Sequence, residues 1–116
     1  MKIYLAGPMR GIPEFNFPAF HAAAKKLREQ GYEVFSPAEN DEKTHGTEFS
    51  KQFTTGDEKA AEAVGFSLRQ ALGDDLAWIC KNADGIALLP GWEKSRGVAA
   101  ELATAKALGL KEIYLA

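Results

Sequence analysis

Ile86-Ala87-Leu88-Leu89 is apolar at four successive positions, between Asp84-Gly85 and Pro90-Gly91. A strand with one solvated face alternates apolar and polar side chains, so a run with no polar position needs cover on both faces. Helices on either side of a parallel sheet provide that cover. The run therefore predicts a central strand of such a sheet.

The other elements read outward from it. Lys2-Ile3-Tyr4-Leu5-Ala6, stopped by Gly7-Pro8, predicts the first strand; Tyr32-Glu33-Val34-Phe35, closed by Ser36-Pro37, predicts the second. Between them Pro18 suits a first helical turn, Phe20, Ala23, Ala24 and Leu27 form one apolar stripe, and Gly31 ends the helix near Gln30. A helix from about Gly97 to Leu108, capped by Gly109, leads into a last strand at Ile113-Tyr114-Leu115. Asp57 to Leu72 has helical composition, with partial periodicity at Ala60, Ala61, Val64 and Leu68. Asp74 or Asp75 is placed to cap a further helix that carries Leu76, Ile79 and Cys80. Residues 38 to about 56 are polar, have few apolar anchors, and read as a long surface loop.

Alternation of this kind implies right-handed crossovers and one doubly wound α/β domain over residues 1–116, a Rossmann- or flavodoxin-like three-layer sandwich. In the strand order 2-1-3-4, crossovers leave strands one and three on opposite faces, and ligands bind in the crevice at the carboxyl ends of those two strands. Two loops meet there, Gly7-Pro8-Met9-Arg10-Gly11 and Gly91-Trp92-Glu93-Lys94-Ser95-Arg96-Gly97.

Charge narrows the ligand. A net charge of −2 and a pI of about 5.7 argue against binding a nucleic-acid polymer or a membrane surface through bulk basicity. They leave room for a small phosphorylated ligand held by one arginine and backbone amides. Cys80 is the single cysteine and sits in an apolar context, which reads as a buried, inert thiol. His21 and His45 have no partner at metal-ligand spacing, so neither a metal nor a cofactor is expected. No apolar run approaches membrane-spanning length and the chain opens on a strand, from which a cytoplasmic protein is expected.

In the first loop Gly7 and Gly11 allow close backbone approach and Arg10 is a forked cation, together suited to a phosphate, with Met9 of the same loop also expected at the substrate. A plain Gly-Pro turn explains the same residues equally well. In the second, Ser95 precedes Gly97 at a helix start, where free amides and the positive end of the dipole attract anions. An ordinary helix cap also accounts for Ser95, though it does not require Gly97. Glu101 has Val98, Gly97, Thr104, Ala105 and Leu108 as its helical neighbours, so it points along an apolar stripe towards the crevice. A carboxylate there is costly unless something uses it, and burial should raise its pKa; the other reading is an edge position that reaches solvent or pairs with Arg96 or Lys94. Asp75 alone reads as a helix cap, and Trp92 and Trp78 either stack on a base or pack the core.

Ile3-Tyr4-Leu5-Ala6-Gly7-Pro8-Met9-Arg10-Gly11, Asp75-Leu76-Ala77-Trp78 and Ser95-Arg96-Gly97-Val98-Ala99-Ala100-Glu101 together resemble the nucleoside 2-deoxyribosyltransferase superfamily. The nearest branch is the 2′-deoxynucleoside 5′-phosphate N-hydrolases, with short phage and bacterial relatives that carry the Leu89–Gly97 loop. The likeness runs over residues 1–37 and about 75–116; residues 38–73 read as a variable insert without a counterpart. The resemblance implies that Glu101 is the nucleophile at the anomeric carbon, that Asp75 assists at base or sugar, and that Tyr4 holds the nucleophile's geometry. It further implies that Arg10, Ser95 and the Gly97 amide bind a 5′-phosphate.

Three departures stand out. Pro8 replaces a serine of the hydrolase branch, Arg96 replaces an acidic residue of the transferases, and the chain ends before a segment that in relatives reaches into the neighbouring subunit. The expected activity is N-glycosidic hydrolysis of a (deoxy)nucleoside 5′-monophosphate, with base exchange by a deoxyribosyltransferase or silent nucleotide binding as alternatives. A homodimer or larger homo-oligomer is expected, with the stretch from Asp57 to Leu72 at the interface or folded over the site.

Overall fold

The computed structural model describes all 116 residues. Four parallel strands, β1 (Lys2–Ala6), β2 (Glu33–Phe35), β3 (Gly85–Leu88) and β4 (Lys111–Tyr114), form one sheet in the order β2-β1-β3-β4. Register is set by Ile3 opposite Val34 on one side and opposite Gly85 on the other. Five helices surround the sheet: α1 (Phe17–Glu29), α2 (Pro37–His45), α3 (Glu58–Ala63), α4 (Leu68–Asn82) and α5 (Arg96–Ala107). This is the doubly wound, three-layer α/β architecture that the alternation of strands and helices predicts.

The two-residue period of a strand splits the core into two layers. Ile3, Leu5, Ala87 and Leu89 face α1, packing on Phe17, Phe20, Ala24 and Leu27. Tyr4, Ala6, Ile86 and Leu88 face the other way, onto Ile79 of α4 and Val98, Leu102 and Ala105 of α5. Each fully buried Leu or Ile contributes roughly 1.5–3 kcal/mol. Both faces of β3 need apolar side chains for this reason, as its unbroken run requires.

The stretch between β2 and β3 departs from expectation. Residues 37–45 are helical rather than looped: Pro37 occupies the first turn, and the helix is polar because most of it faces solvent or ion-pairs with α1. Arg28 donates to both carboxylate oxygens of Glu39 at 2.6 Å, and His21 meets Glu42 at 3.0 Å. The expected single helix over Asp57–Leu72 is two helices. Gly65 adopts a φ of +100° and the Phe66 amide returns to the Ala61 carbonyl, which ends α3. Ser67 then caps α4 by accepting from the Gln70 amide. Asp74 and Asp75 therefore lie mid-helix and cap nothing. Cys80 is exposed, not buried, because Ile79 takes the inward position of that turn.

The segment between α2 and α4 folds back over the carboxyl edge of the sheet. Phe49 and Phe53 pack into the α1-side core, with ring centroids 5.1 Å apart, and the Gly11 amide donates to the Gly56 carbonyl at 2.9 Å. Gly56 has φ +67° and lies so close to the Ile12 backbone that no side chain fits there. The loop after β1 includes a left-handed turn at Glu14, Phe15 and Asn16, with φ of 55°, 52° and 64°. Such a conformation costs of order 1 kcal/mol per residue. It is held by the Glu14 amide donating to the Phe53 carbonyl at 2.8 Å and by Asn16 Nδ2 donating to the Pro8 carbonyl at 3.0 Å.

Candidate functional site

A cleft of about 560 Å³ opens at the carboxyl ends of β1 and β3, where the strand order reverses. Its wall on the α5 side is built by the loops after those strands. Gly7 is required there by crowding: a Cβ would fall 2.7 Å from the Leu89 side chain. Ser95 caps α5, its hydroxyl accepting from the Val98 amide at 3.2 Å. The amides of Arg96 and Gly97 have no acceptor within the chain. A Cβ on Gly97 would meet nothing closer than Ser95 Oγ at 3.8 Å, so packing does not demand glycine there. Its effect is to leave backbone open to the cleft, an anion cradle at a helix N-terminus.

Below this rim lies an acidic floor. Glu101 stands one turn further along α5 beside the buried Val98, Leu102 and Ala105, and is itself 7% exposed. Leu108, expected on the same stripe, is exposed at the helix end. Tyr4 rises from β1 beneath the cleft, and its hydroxyl donates to Glu101 Oε2 at 2.6 Å. Asp75 reaches in from α4, on the face that also brings Leu68, Ala71 and Leu72 to the cleft; it too is 7% exposed. Asp41 of α2 completes the set.

Burial disfavours all of these charges. It pushes Glu101 up to about 8; the Tyr4 hydrogen bond opposes the rise, and the nearby Asp75 carboxylate adds to it. Asp75 rises to about 7, again through burial, with Tyr4 opposing and Asp74 adding. Asp41 also rises to about 7, from burial first and then the charges of Asp75 and Glu42. Tyr4, fully buried beside two carboxylates, is held well above its ordinary value and remains a proton donor. Near neutral pH the cleft thus holds a carboxylate–hydroxyl–carboxylate array that carries both protons and negative charge, the equipment of general acid–base and nucleophilic chemistry. No group of three His, Cys, Asp or Glu side chains is arranged to hold a metal ion.

The structure therefore brings Tyr4, Asp75 and Glu101 together, with Gly7, Met9, Arg10, Ser95 and Gly97 around the opening. Two residues expected at the site lie off it. Trp92 turns away to pack on Tyr114, ring centroids 5.5 Å apart, and Gly11 is spent anchoring Gly56. Trp78 stacks on Phe35 at 4.8 Å in the core. Arg10 is at the rim, where its Nε pairs with Glu58 of α3. Sequence reasoning missed Asp41, Glu58 and the aromatic wall of Phe15, Phe17, Phe49 and Phe66. For Asp41 a signal was present: Ser36-Pro37 after a strand is a helix start, and helices that start there open onto the crevice.

Fold and cleft define a doubly wound α/β protein with an anion-ready rim and a buried acidic floor. The chain belongs to the family described as Domain of unknown function (DUF4406), which matches residues 1–114 and so takes in the covering segment. No curated protein and no solved structure matches it.

Proposed function

We propose that this protein is a cytoplasmic N-glycosidase that hydrolyses a (deoxy)nucleoside 5′-monophosphate. The observation that carries the reading is the buried Tyr4–Glu101 hydrogen bond of 2.6 Å on the cleft floor, one helical turn from the unpaired amides of Arg96 and Gly97. A 5′-phosphate on those amides sets the sugar beside Glu101. Cleavage of a glycosidic bond passes through an oxocarbenium-like state that such a carboxylate stabilises or captures as an ester. Tyr4 directs one Glu101 oxygen and favours its ionised form, while Asp75 is placed to take up a proton. Water completes hydrolysis; a second base in its place would give deoxyribosyl exchange. Chromatography of a nucleotide panel tests the reading. Free base and sugar phosphate are expected from a monophosphate, and a shift in melting temperature without either product would reduce the protein to a nucleotide binder.

Arg10 lies at the cleft rim with its Nε on Glu58 and its side chain 45% exposed, so its guanidinium is within reach of a phosphate bound there. Arg10→Ala should weaken monophosphate binding by roughly 1–2 kcal/mol, the lower range for a charge-assisted hydrogen bond at a half-exposed site. Calorimetry should show the unphosphorylated nucleoside almost unaffected, and equal losses for both ligands would make Arg10 a loop support only.

Homodimer formation belongs to the same reading. Of the apolar residues in the segment over the cleft, Phe66 and Leu68 line the cleft and Val64 is left 56% exposed. Light scattering at tens of micromolar should give twice the chain mass. A fully active monomer would show instead that the covering segment completes the site within one chain.

A further inference from the structure

Four acidic residues line the cleft, Asp41, Glu58, Asp75 and Glu101, and Glu58 alone among them is paired with a cation. Its partner is Arg10, and of the basic lining residues Arg10, Lys94 and Arg96 only Arg10 has an anion beside it. A carboxylate of the chain itself thus occupies a guanidinium at the rim where the proposed phosphate would bind.

Glu58 belongs to an element that little else holds in place. The helix α3 runs from Glu58 to Ala63 and is capped by Asp57, which accepts from the Lys59 amide at 2.9 Å. Ala61 is its one buried residue, while Lys59, Ala60, Glu62 and Ala63 are exposed. A methyl group and an ion pair are therefore its side-chain ties to the cleft. Left-handed glycines bound it, Gly56 at φ +67° and Gly65 at φ +100°. Gly56 is pressed against the Ile12 backbone, whereas a Cβ on Gly65 would meet nothing within 4 Å. One pivot is fixed and the other is free. A helix of six residues does not persist in water without support, and a segment with so few buried apolar contacts opens at low cost.

Resting on the phosphate anchorage of the function proposed above, we infer that Glu58 is an internal competitor for that phosphate. Its carboxylate holds Arg10 and so keeps α3 closed over the rim; a bound phosphate takes Arg10 and releases α3. Both anions need the same guanidinium, and a phosphate monoester brings more charge and more acceptor oxygens than a carboxylate. Once Arg10 has turned to the phosphate, Glu58 faces a like charge across the rim and is repelled. Ala61 is then the only side-chain anchor left to α3, and the helix opens about Gly65.

Hydrogen exchange and calorimetry on the full chain test this, with 2-deoxyribose 5-phosphate as the probe and 2-deoxyribose as its control. Saturating sugar phosphate should speed exchange at the Ala61, Val64, Gly65 and Phe66 amides by about fivefold or more, and the free sugar should not. Trypsin should then cut faster after Lys59 but not after Lys51, which lies between the buried Phe49 and Phe53. Glu58→Gln should loosen α3 without any ligand and tighten sugar phosphate binding by about three- to fivefold, the scale of a half-exposed ion pair. Arg10→Ala should loosen α3 equally, since it breaks the same contact from the other side. Weaker sugar phosphate binding by Glu58→Gln would make Glu58 a support for Arg10 and overturn the proposal. Slower α3 exchange on binding, or unchanged exchange in both variants, overturns it as well. Wild-type protein that fails to bind the sugar phosphate overturns this inference and the phosphate anchorage together. The expected response without cleavage of any nucleotide supports the competitor role and overturns only the hydrolase reading.

Discussion

Glu101→Gln should abolish base release, with a fall of at least a hundredfold in turnover, while the folded protein still binds monophosphate. Glutamine keeps the size of the side chain and can still accept the Tyr4 hydroxyl proton through its carbonyl oxygen. What it lacks is the negative charge that an oxocarbenium-like centre requires at van der Waals distance, and the electron pair that captures that centre. Calorimetric binding of the product sugar phosphate should therefore persist, since the rim amides of Arg96 and Gly97 and the Arg10 fork are untouched. More than a few per cent of wild-type rate in a purified mutant would remove Glu101 from the mechanism. Loss of binding together with rate would make it a structural carboxyl.

Stability should fall as pH rises from about 5 to 8.5. Glu101, Asp75 and Asp41 are all raised above their ordinary range, to about 8, 7 and 7, so the folded chain binds more protons than the unfolded one across that window. Under proton linkage a folded-state excess of protons makes unfolding easier with each step towards alkali. The contribution is complete below the unfolded values near 4 and is exhausted above about 8. One unit is worth about 1.4 kcal/mol for an isolated group, so this coupled cluster is worth on the order of several kcal/mol. The opposite case, Glu39 lowered by its hydrogen bonds from Arg28, acts only at pH below its ordinary value and leaves the window untouched. Urea unfolding at pH 5.5 and 8.5, at fixed ionic strength, should show the loss. Glu101→Gln should flatten the dependence and be the more stable protein at pH 8.5; an unchanged slope would mean that water reaches Glu101 freely.

The two expectations have one origin. Three carboxyls on an enclosed floor are costly to ionise, and a fold optimised for stability alone would replace them with apolar side chains. The left-handed turn at Glu14–Asn16 on the same wall adds to that cost.

Much of this was legible in the chain. The unbroken Ile86–Leu89 run required a doubly covered central strand, and alternation with helices then left few topologies besides the order β2-β1-β3-β4. Glu101 was conspicuous because a carboxylate interrupts an apolar helical stripe, and the Gly7 and Gly97 loops because glycine follows strand ends. Periodicity of 2 and 3.6 is a local property, printed in the order of residues. Asp75 was misread as a cap because the boundary of α4 depends on Ser67 and Gly65, and weak periodicity there gave no hint which serine or aspartate would start the helix.

What the tertiary structure alone decided is the company each side chain keeps. Nothing local joins Tyr4 to Glu101 across 97 positions, turns Trp92 outward onto Tyr114, or brings Asp41 into the lining of the crevice. Residues 46–67 close over the site because Phe49, Phe53 and Ala61 find the α1-side core and Gly56 fits against Ile12. Those contacts depend on the shape of a sheet edge that exists only once the strands have paired. Pattern along the chain thus determined the layers and the place of the crevice, and long-range packing, which pattern does not encode, chose the residues that line it.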